Sequence, residues 1–392
     1  MAVRARASRA PSVLIAGGGT AGHLIPGLAV ADALTDGGWP AEEIHFVGSK
    51  RGMDAQLVPA AGFGLTVLGG RGLTARRVNL TNAVAAVGLA WATLRGIALV
   101  RKRRPAAVLS LGGYAAFPAT LGAVIWRVPL VIAEQNAVAS AANRLLGRFA
   151  RAAAVPVGGT GLHREVVTGN PVRSEVAQAA HDAGDARERL GWPTDATCIA
   201  VFGGSLGSRR INTAVWSALP SLRDRDGVFV YHVVGRRDWE DRPPEPAPRD
   251  DGAAVRDWYR AVPFDEHLPM ALAAADLVVC RAGASTVAEL SVLGTSAVLV
   301  PLPIATHDHQ RRNAEVLVST GQARMVSDAD FDAARLLYEI KAMSGPVDRI
   351  GGPVPEGLTF GRADAAQRVA RLVIQHSTAV PDTVSLSIEG AS

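Results

Sequence analysis

Residues 12–34 read SVLIAGGGTAGHLIPGLAVADAL, and this stretch decides the fold class. Four apolar residues, Val13 to Ala16, run into three consecutive glycines, and an apolar pattern of helical length follows at once. A short unbroken apolar run fits a strand buried on both faces, the kind found where helices cover a parallel sheet on both sides. The turn between strand and helix, residues 17–22 (GGGTAG), satisfies G-x-G-x-x-G. Glycines there let backbone N–H groups approach a diphosphate, and the helix N-terminus adds partial positive charge.

The alternation continues outward. Residues 44–48, 106–111 (AAVLSL) and 129–133 (PLVIA) read as further buried strands separated by helical patterns, which points to a parallel sheet. After NPVR at 170–173 the chain turns polar, Ala-rich and charged. A new series then starts with CIAVF at 198–202 and continues at 228–234, 276–280 and 297–301. The expected class is therefore α/β with two doubly wound, Rossmann-like domains, residues 11–173 and 174–361. The Pro- and charge-rich residues 236–251 read as an exposed loop, residues 361–374 (GRADAAQRVARLVI) as a helix, and residues 377–392 as a frayed tail.

Composition narrows the function classes. Of 392 residues, 48% are hydrophobic and 20% charged, so a large core is available and disorder is excluded for most of the chain. Aromatics, at 5%, are too sparse for a base-stacking platform, so no nucleic-acid partner is expected. Lys plus Arg minus Asp plus Glu is 41 − 36 = +5. Cys198 and Cys280 both lie in apolar runs, which fits a reducing cytoplasm rather than a disulfide framework. Arg4, Arg6 and Arg9 precede an apolar stretch far too short for a signal-peptide core, which reads as a short basic leader on a soluble protein.

Two more glycine turns follow strands: residues 112–114 (GGY) and residues 203–207 (GGSLG). Three such turns over two halves suggest a cleft that handles phosphates from both sides. A nicotinamide cofactor would need an acid at the end of the second strand, but IHFVGS ends in Gly48 and Ser49, with Glu42 and Glu43 ahead of it; NAD is disfavoured. In residues 281–290 (RAGASTVAEL), Ser285 or Thr286 can cap a helix with Glu289 completing a capping box, or Glu289 can accept hydrogen bonds from ribose hydroxyls. In residues 301–313 (PLPIATHDHQRRN), His307, Asp308 and His309 lack a second ligand cluster, so the loop reads as lining a sugar site, with Gln310 as donor and acceptor. His23, just after the first turn, is either a general base or a locally bonded helix-start residue. Leu80 to Leu94 carries no charge, then come Arg95, an apolar run to Val100, and Arg101, Lys102, Arg103 and Arg104. A spanning helix needs about twenty apolar residues; a crossover helix or a surface-seeking helix beside anionic lipid fits better.

Seven motifs in order, GGGTAGHLIPGLAVADAL, LGGYAAFP, AEQNAVASAANR, GNPVR, FGGSLGSRRIN, CRAGASTVAEL and HDHQRRNA, resemble the MurG family, the UDP-N-acetylglucosamine-dependent transferases of peptidoglycan synthesis (glycosyltransferase family 28). The resemblance runs from about Val13 to about Ile374. It implies a GT-B fold, two Rossmann-like domains facing across a cleft, with the helix at 362–376 crossing back to the first domain. It implies inverting transfer of GlcNAc from UDP-GlcNAc to the 4-hydroxyl of MurNAc in undecaprenyl-diphospho-MurNAc-pentapeptide (lipid I), giving lipid II. It also implies a peripheral enzyme on the cytoplasmic face of the cell membrane, meeting an anionic surface. The second domain would bind UDP-GlcNAc.

By the same resemblance, Thr20, Ala21 and Gly22 take the first-loop donor places, Asn136 is the Asn of EQN, Arg173 closes NPVR, and Ser205 belongs to the second loop. Ala284, Ser285, Thr286, Val287, Ala288 and Glu289 form the uridine segment, with Glu289 on the ribose; Gln310 would contact GlcNAc. His23 and Tyr114 match cleft residues near the acceptor, and the general base is expected to be His23 ahead of Glu134. Ala21 stands for a Gly, Ala133 for the His of HEQN, Phe117 lies in an altered GGYVSGP turn, Leu206 replaces an amide, and Asp265 falls where an aliphatic residue usually covers uracil. No DxD-like metal motif is placed to stabilise the UDP leaving group, so metal-independent donor activation, with no other cofactor, is expected. The rival readings are a related transferase with another lipid or small-molecule acceptor, and a non-catalytic UDP-sugar-binding protein.

Overall fold

In a computed structural model of the chain, the residues described are 10–19, 21–49, 53–69, 80–182, 184–204, 207–250, 252–305, 308–343 and 359–384, with the side chains of residue 21 and residues 80–87 left aside. The chain forms two compact units. One comprises residues 1–135, 139–168 and 364–392, the other residues 136–138 and 169–363.

The first unit opens with β1 (Val13–Ala16), α1 (Ala21–Asp36), β2 (Ile44–Ser49), α2 (Asp54–Ala60) and β3 (Gly64–Leu68). It continues with α3 (Leu80–Arg103), β4 (Ala107–Ser110), α4 (Gly113–Ile125), β5 (Leu130–Ala133), α5 (Ala141–Gly147), β6 (Ala152–Val155) and β7 (Glu165–Val167). The seven strands run parallel in the order β3-β2-β1-β4-β5-β6-β7. Strands β1, β4, β5 and β6 are buried at every residue, the consequence of continuous apolar runs with helices on both faces.

The second unit begins with β8 (Asn170–Pro171), α6 (Ser174–His181), α7 (Ala186–Leu190), β9 (Thr197–Phe202), α8 (Arg209–Arg223), β10 (Val228–Val233) and β11 (Tyr259–Val262). Then come α9 (Leu268–Ala274), β12 (Leu277–Cys280), α10 (Ala284–Leu293), β13 (Ser296–Leu299), α11 (His309–Ser319), β14 (Ala323–Met325), α12 (Ala333–Met343) and β15 (Gly361–Arg362). Six strands form a parallel sheet in the order β11-β10-β9-β12-β13-β14, and β15 pairs in parallel with β8. Both large sheets are Rossmann-like. In each the strand order reverses once, between β1 and β4 and between β9 and β12, and the C-terminal ends of such strands flank the ligand crevice of doubly wound sheets.

The last helix, α13 (Ala365–His376), belongs to the first unit. Ala366, Val369, Ala370, Val373 and Ile374 recur at helical spacing and are buried in one core cluster with Val13, Ile15 and Leu24. Helix α3 packs on α4 where Gly96 admits the neighbour: a Cβ there would stand 2.7 Å from the carbonyl carbon of Pro118. Among the described residues no helix is long and apolar enough to cross a membrane.

Two expectations need correction. The tail does not fray from Ser377: Thr378 N donates to Ala106 O at 3.0 Å, Thr383 Oγ1 donates to Gly38 O at 2.6 Å, and Val380 and Val384 pack on the first unit's core. Small polar residues hid two apolar contacts that hold the backbone in place; residues 385–392 lie outside the described residues. Nor is the segment 236–251 simply an exposed loop. Arg249 is buried, and its guanidinium donates to the carbonyls of Leu222, Arg223, Arg225, Val228 and Val255 at 2.5–3.1 Å.

A lysine ammonium cannot reproduce that planar fork. Arg249→Lys should lower the unfolding free energy by about 2–4 kcal/mol, from carbonyls left without donors; urea denaturation followed by tryptophan fluorescence measures it, and an unchanged midpoint would contradict the anchoring role.

Candidate active site

In the second unit the strand order reverses between β9 and β12, so the loops that matter are those leaving these strands, residues 203–208 and 281–283. Helix α10 starts at Ala284 with Gly283 as its N-cap, and no side chain caps it. The capping box expected from Ser285 or Thr286 with Glu289 therefore does not form, because the helix begins too early for those residues to be its cap. Its first N–H groups keep the usual want of intrahelical acceptors.

Glu289 is buried, 6% exposed, and Arg173 holds it: Nε and Nη2 both donate to Oε1, at 3.2 and 3.0 Å. The second oxygen, Oε2, is hydrogen-bonded by no described residue. Burial pushes this carboxyl above the usual carboxylate range, and the Arg173 guanidinium works against that rise. Ser285 Oγ is buried and has no hydrogen-bond partner among the described residues. Glu289 Oε2 and the buried Ser285 hydroxyl, both within the first two turns of α10, are thus without a hydrogen-bond partner among the described residues.

Asn313, which sequence reasoning passed over, is fully buried and organises the neighbourhood. Its Oδ1 accepts from Ala137 N at 2.9 Å, and its Nδ2 donates to Asn136 Oδ1 at 3.1 Å and to Ala282 O at 3.3 Å. One amide thereby fixes the Asn136 side chain and the backbone just ahead of α10. The signal available in the sequence was an amide on the inward face of the helix that follows the His-rich loop. Gln310 is oriented too, but not as a free donor and acceptor: its Oε1 already accepts from Leu302 N at 2.9 Å, leaving Nε2 as the group offered.

Beneath the second glycine turn lies a buried chain of polar groups. Ser208 caps α8, accepting from Ile211 N at 3.4 Å. Asn212 Nδ2 donates to Val234 O and Asp238 Oδ2, both at 3.0 Å, so its Oδ1 must be the acceptor facing His232 Nε2 at 3.1 Å. His232 is fully buried, and burial pushes its pKa down to about 3. The neutral ring therefore carries its proton on Nε2, and Nδ1 accepts from Tyr259 OH at 3.0 Å. Asp238, also buried, is held below its usual range chiefly by Arg237, with Arg209 assisting.

In the first unit the strand order reverses between β1 and β4, where the structure gathers three expected features. His23 lies in the first turn of α1, with its ring beside Gly113: a Cβ on that glycine would stand 3.7 Å from Nε2. Tyr114 OH is 2.6 Å from Ser49 Oγ. The first glycine turn, however, already holds an anion. Gly19 N donates to both oxygens of the fully buried Asp54, at 2.9 and 3.0 Å, and Ser49 N donates to Oδ2 at 2.7 Å.

Glu134, the second candidate base, sits in a web of donors. It is buried, Oε1 accepts from Gln135 N, and Oε2 accepts from Ser140 N and Asn143 Nδ2 at 3.1 and 2.8 Å. Those donors fix the loop before α5. Asp265 is likewise turned inward, accepting from Tyr231 OH and His267 N, while its neighbour Phe264 is exposed under Arg236 at 4.5 Å. Thr20, Ser205, Leu206 and His307 lie outside the described residues, and Ala21 is described only in its backbone; Gly22 is in α1.

Residues 13–155 match the glycosyltransferase family 28 N-terminal domain, and residues 198–368 match the family's C-terminal domain. The chain belongs to glycosyltransferase family 28. Within the family it is similar to the UDP-N-acetylglucosamine--N-acetylmuramyl-(pentapeptide) pyrophosphoryl-undecaprenol N-acetylglucosamine transferases of Nitrosococcus oceani, 38% identical over 93% of this chain and 98% of that protein, and of Mycobacterium sp. (strain KMS), 37% identical over 93% and 95%. Among solved structures it resembles MurG of Acinetobacter baumannii, with a TM-score of 0.69 and 26% identity over 93% of this chain and 99% of that one. It shares a fold with the UDP-GlcNAc 2-epimerase of Neisseria meningitidis, TM-score 0.61 at 10% identity over 93% of this chain and all of that one.

The buried His232 makes stability depend on pH with a definite sign. The folded ring stays neutral down to about pH 3, whereas the unfolded chain binds a proton near 6.5. Stability is therefore full above pH 6.5 and falls as pH drops toward 3. Between pH 6.5 and 5 the wild type should lose about 2 kcal/mol more than His232→Gln, measured by denaturant titration at each pH; parallel losses would contradict the assignment.

Proposed function

We propose that this chain is an inverting N-acetylglucosaminyltransferase that moves GlcNAc from UDP-GlcNAc to the 4-hydroxyl of MurNAc in lipid I, forming lipid II for peptidoglycan. The observation that carries this reading is Glu289: a buried carboxylate in the second turn of α10, one oxygen held by Arg173 and the other unbonded by any described residue, fits a pair of ribose hydroxyls. Full-length similarity to transferases named for this reaction supports the choice of donor and acceptor.

The uridine is assigned to the segment Ala284 to Glu289, with Ser285 Oγ as a second partner and the exposed Phe264 beside it in sequence as the apolar cover that Asp265 does not supply. Asn136 and Gln310 Nε2 are assigned to the hexose. As the anomeric carbon–oxygen bond breaks, negative charge grows on the diphosphate; backbone N–H groups of residues 203–208 and the N-terminus of α8 stabilise it, with Arg173 contributing positive charge. The acceptor oxygen attacks from the opposite face, its proton passes to His23, and UDP leaves.

A peripheral place on the cytoplasmic membrane face is part of the proposal. Trp91 and Leu94 are exposed on α3 and Ile125 and Trp126 at the end of α4; Trp126 Nε1 donates to Ile97 O on α3, and Arg101 lies 4.9 Å over the Trp126 ring. Indole rings flanked by arginines suit a lipid headgroup layer.

UDP release from UDP-GlcNAc should require a short-chain lipid I analogue; no release, or equal release without acceptor, contradicts the reading, and release with other glycolipids alone reassigns the acceptor. His23→Ala should lower kcat by about 10²–10⁴-fold while leaving UDP-GlcNAc affinity nearly unchanged; unchanged kcat removes His23 as base.

A further inference from the structure

The first glycine turn has the sequence of a phosphate cradle and contains a carboxylate of the chain itself. Asp54, the first residue of α2, is fully buried, and among the described residues no cation pairs with it. Backbone amides hold its charge: Gly19 N reaches both oxygens and Ser49 N reaches Oδ2. Two glycines make the space. A Cβ on Gly18, whose φ is +140°, would collide with the carboxylate, and one on Gly48 would stand 2.6 Å from Oδ2. Three backbone N–H bonds offset the cost of burying a carboxylate here. What the carboxylate adds is position: it ties the end of β1 to the end of β2.

Both tied ends carry groups near the acceptor chemistry. The turn at Gly18 and Gly19 leads into α1 and His23, and Ser49 sets the Tyr114 hydroxyl through its 2.6 Å bond. We propose that Asp54 is a positioning residue of the transfer reaction, an internal anion that occupies the seat of the first glycine turn and so fixes His23 and, through Ser49, Tyr114. This rests on the transferase reading above. A consequence is that the Gly19 amide is not where a substrate phosphate binds, since the seat is filled and negatively charged.

Asp54→Ala empties the seat while leaving its amides in place, which makes rescue by a small carboxylate the decisive experiment. In the full-length protein, kcat should fall at least about tenfold with KM for UDP-GlcNAc unchanged. Excess formate, but not chloride at equal ionic strength, should then raise both kcat and the melting temperature of the variant and leave the wild type unaffected. Wild-type kcat in the variant, or a loss that formate does not lift, overturns the proposal. If Asp54→Ala does not fold, Asp54→Asn replaces one acceptor oxygen with a donor at constant size, and must show the same kcat loss at constant donor KM; wild-type kcat there overturns it equally. The melting shift needs no substrate, so the anchor is decided even if the wild type turned over no acceptor, an outcome that would count against the transferase reading alone.

Discussion

A buried carboxylate held by a single guanidinium organises the second unit's site. Glu289 and Arg173 lie 116 residues apart, one on α10 and the other just before α6, and their contact brings the end of the NPVR segment onto the helix that follows β12. Such a pair is poor as a device for stability, because removing both charges from water offsets much of their attraction, and an apolar pair of the same volume would often do as well. The asymmetry of its bonding is what points to a ligand. Both donors of Arg173 converge on Oε1, burial keeps the carboxyl poised above its ordinary range, and Oε2 is left to whatever enters.

Around this pair the unit is stiffened by amides rather than by more charge. Asn313 joins three backbone or side-chain groups with one planar head, and Asn212 does the same beneath the second glycine turn, between a neutral His232 and the ionised Asp238. Groups that are fully hydrogen-bonded in this way hold loops at a fixed geometry without repelling an incoming diphosphate. The first unit solves a related problem differently, with its own anion under the glycine turn. Two turns that look alike in sequence thus differ in electrostatics, one closed by a carboxylate and the other backed by a helix N-terminus.

Much of this was legible in the residues. Strands of continuous Val, Ile and Leu such as β1, β5 and β12 announced a parallel sheet because nothing else buries both faces of so short a run. Strands such as β6 (AAAV), β7 (EVV) and β14 (ARM) were not legible, since alanine, charge and brevity give no period and only the neighbouring strand makes them extended. Glu289 and His23 were visible through their places after glycine turns. Asp54, Asn313 and Arg249 were not, because each acts on backbone groups distant in sequence, and no local pattern records which carbonyl or amide a side chain will find. The capping-box reading of Glu289 failed because α10 begins before Ser285 and Thr286, and the carboxylate's partner, Arg173, lies 116 residues away.

The central claim is that this carboxylate is kept for a nucleotide. A crystal structure of the chain soaked with UDP-GlcNAc tests it most directly. The account predicts uridine density along residues 284–289, with a ribose hydroxyl within hydrogen-bond distance of Glu289 Oε2 and the Arg173 contact at Oε1 retained. Nucleotide bound elsewhere, or bound here with Glu289 touching Arg173 alone, would contradict it.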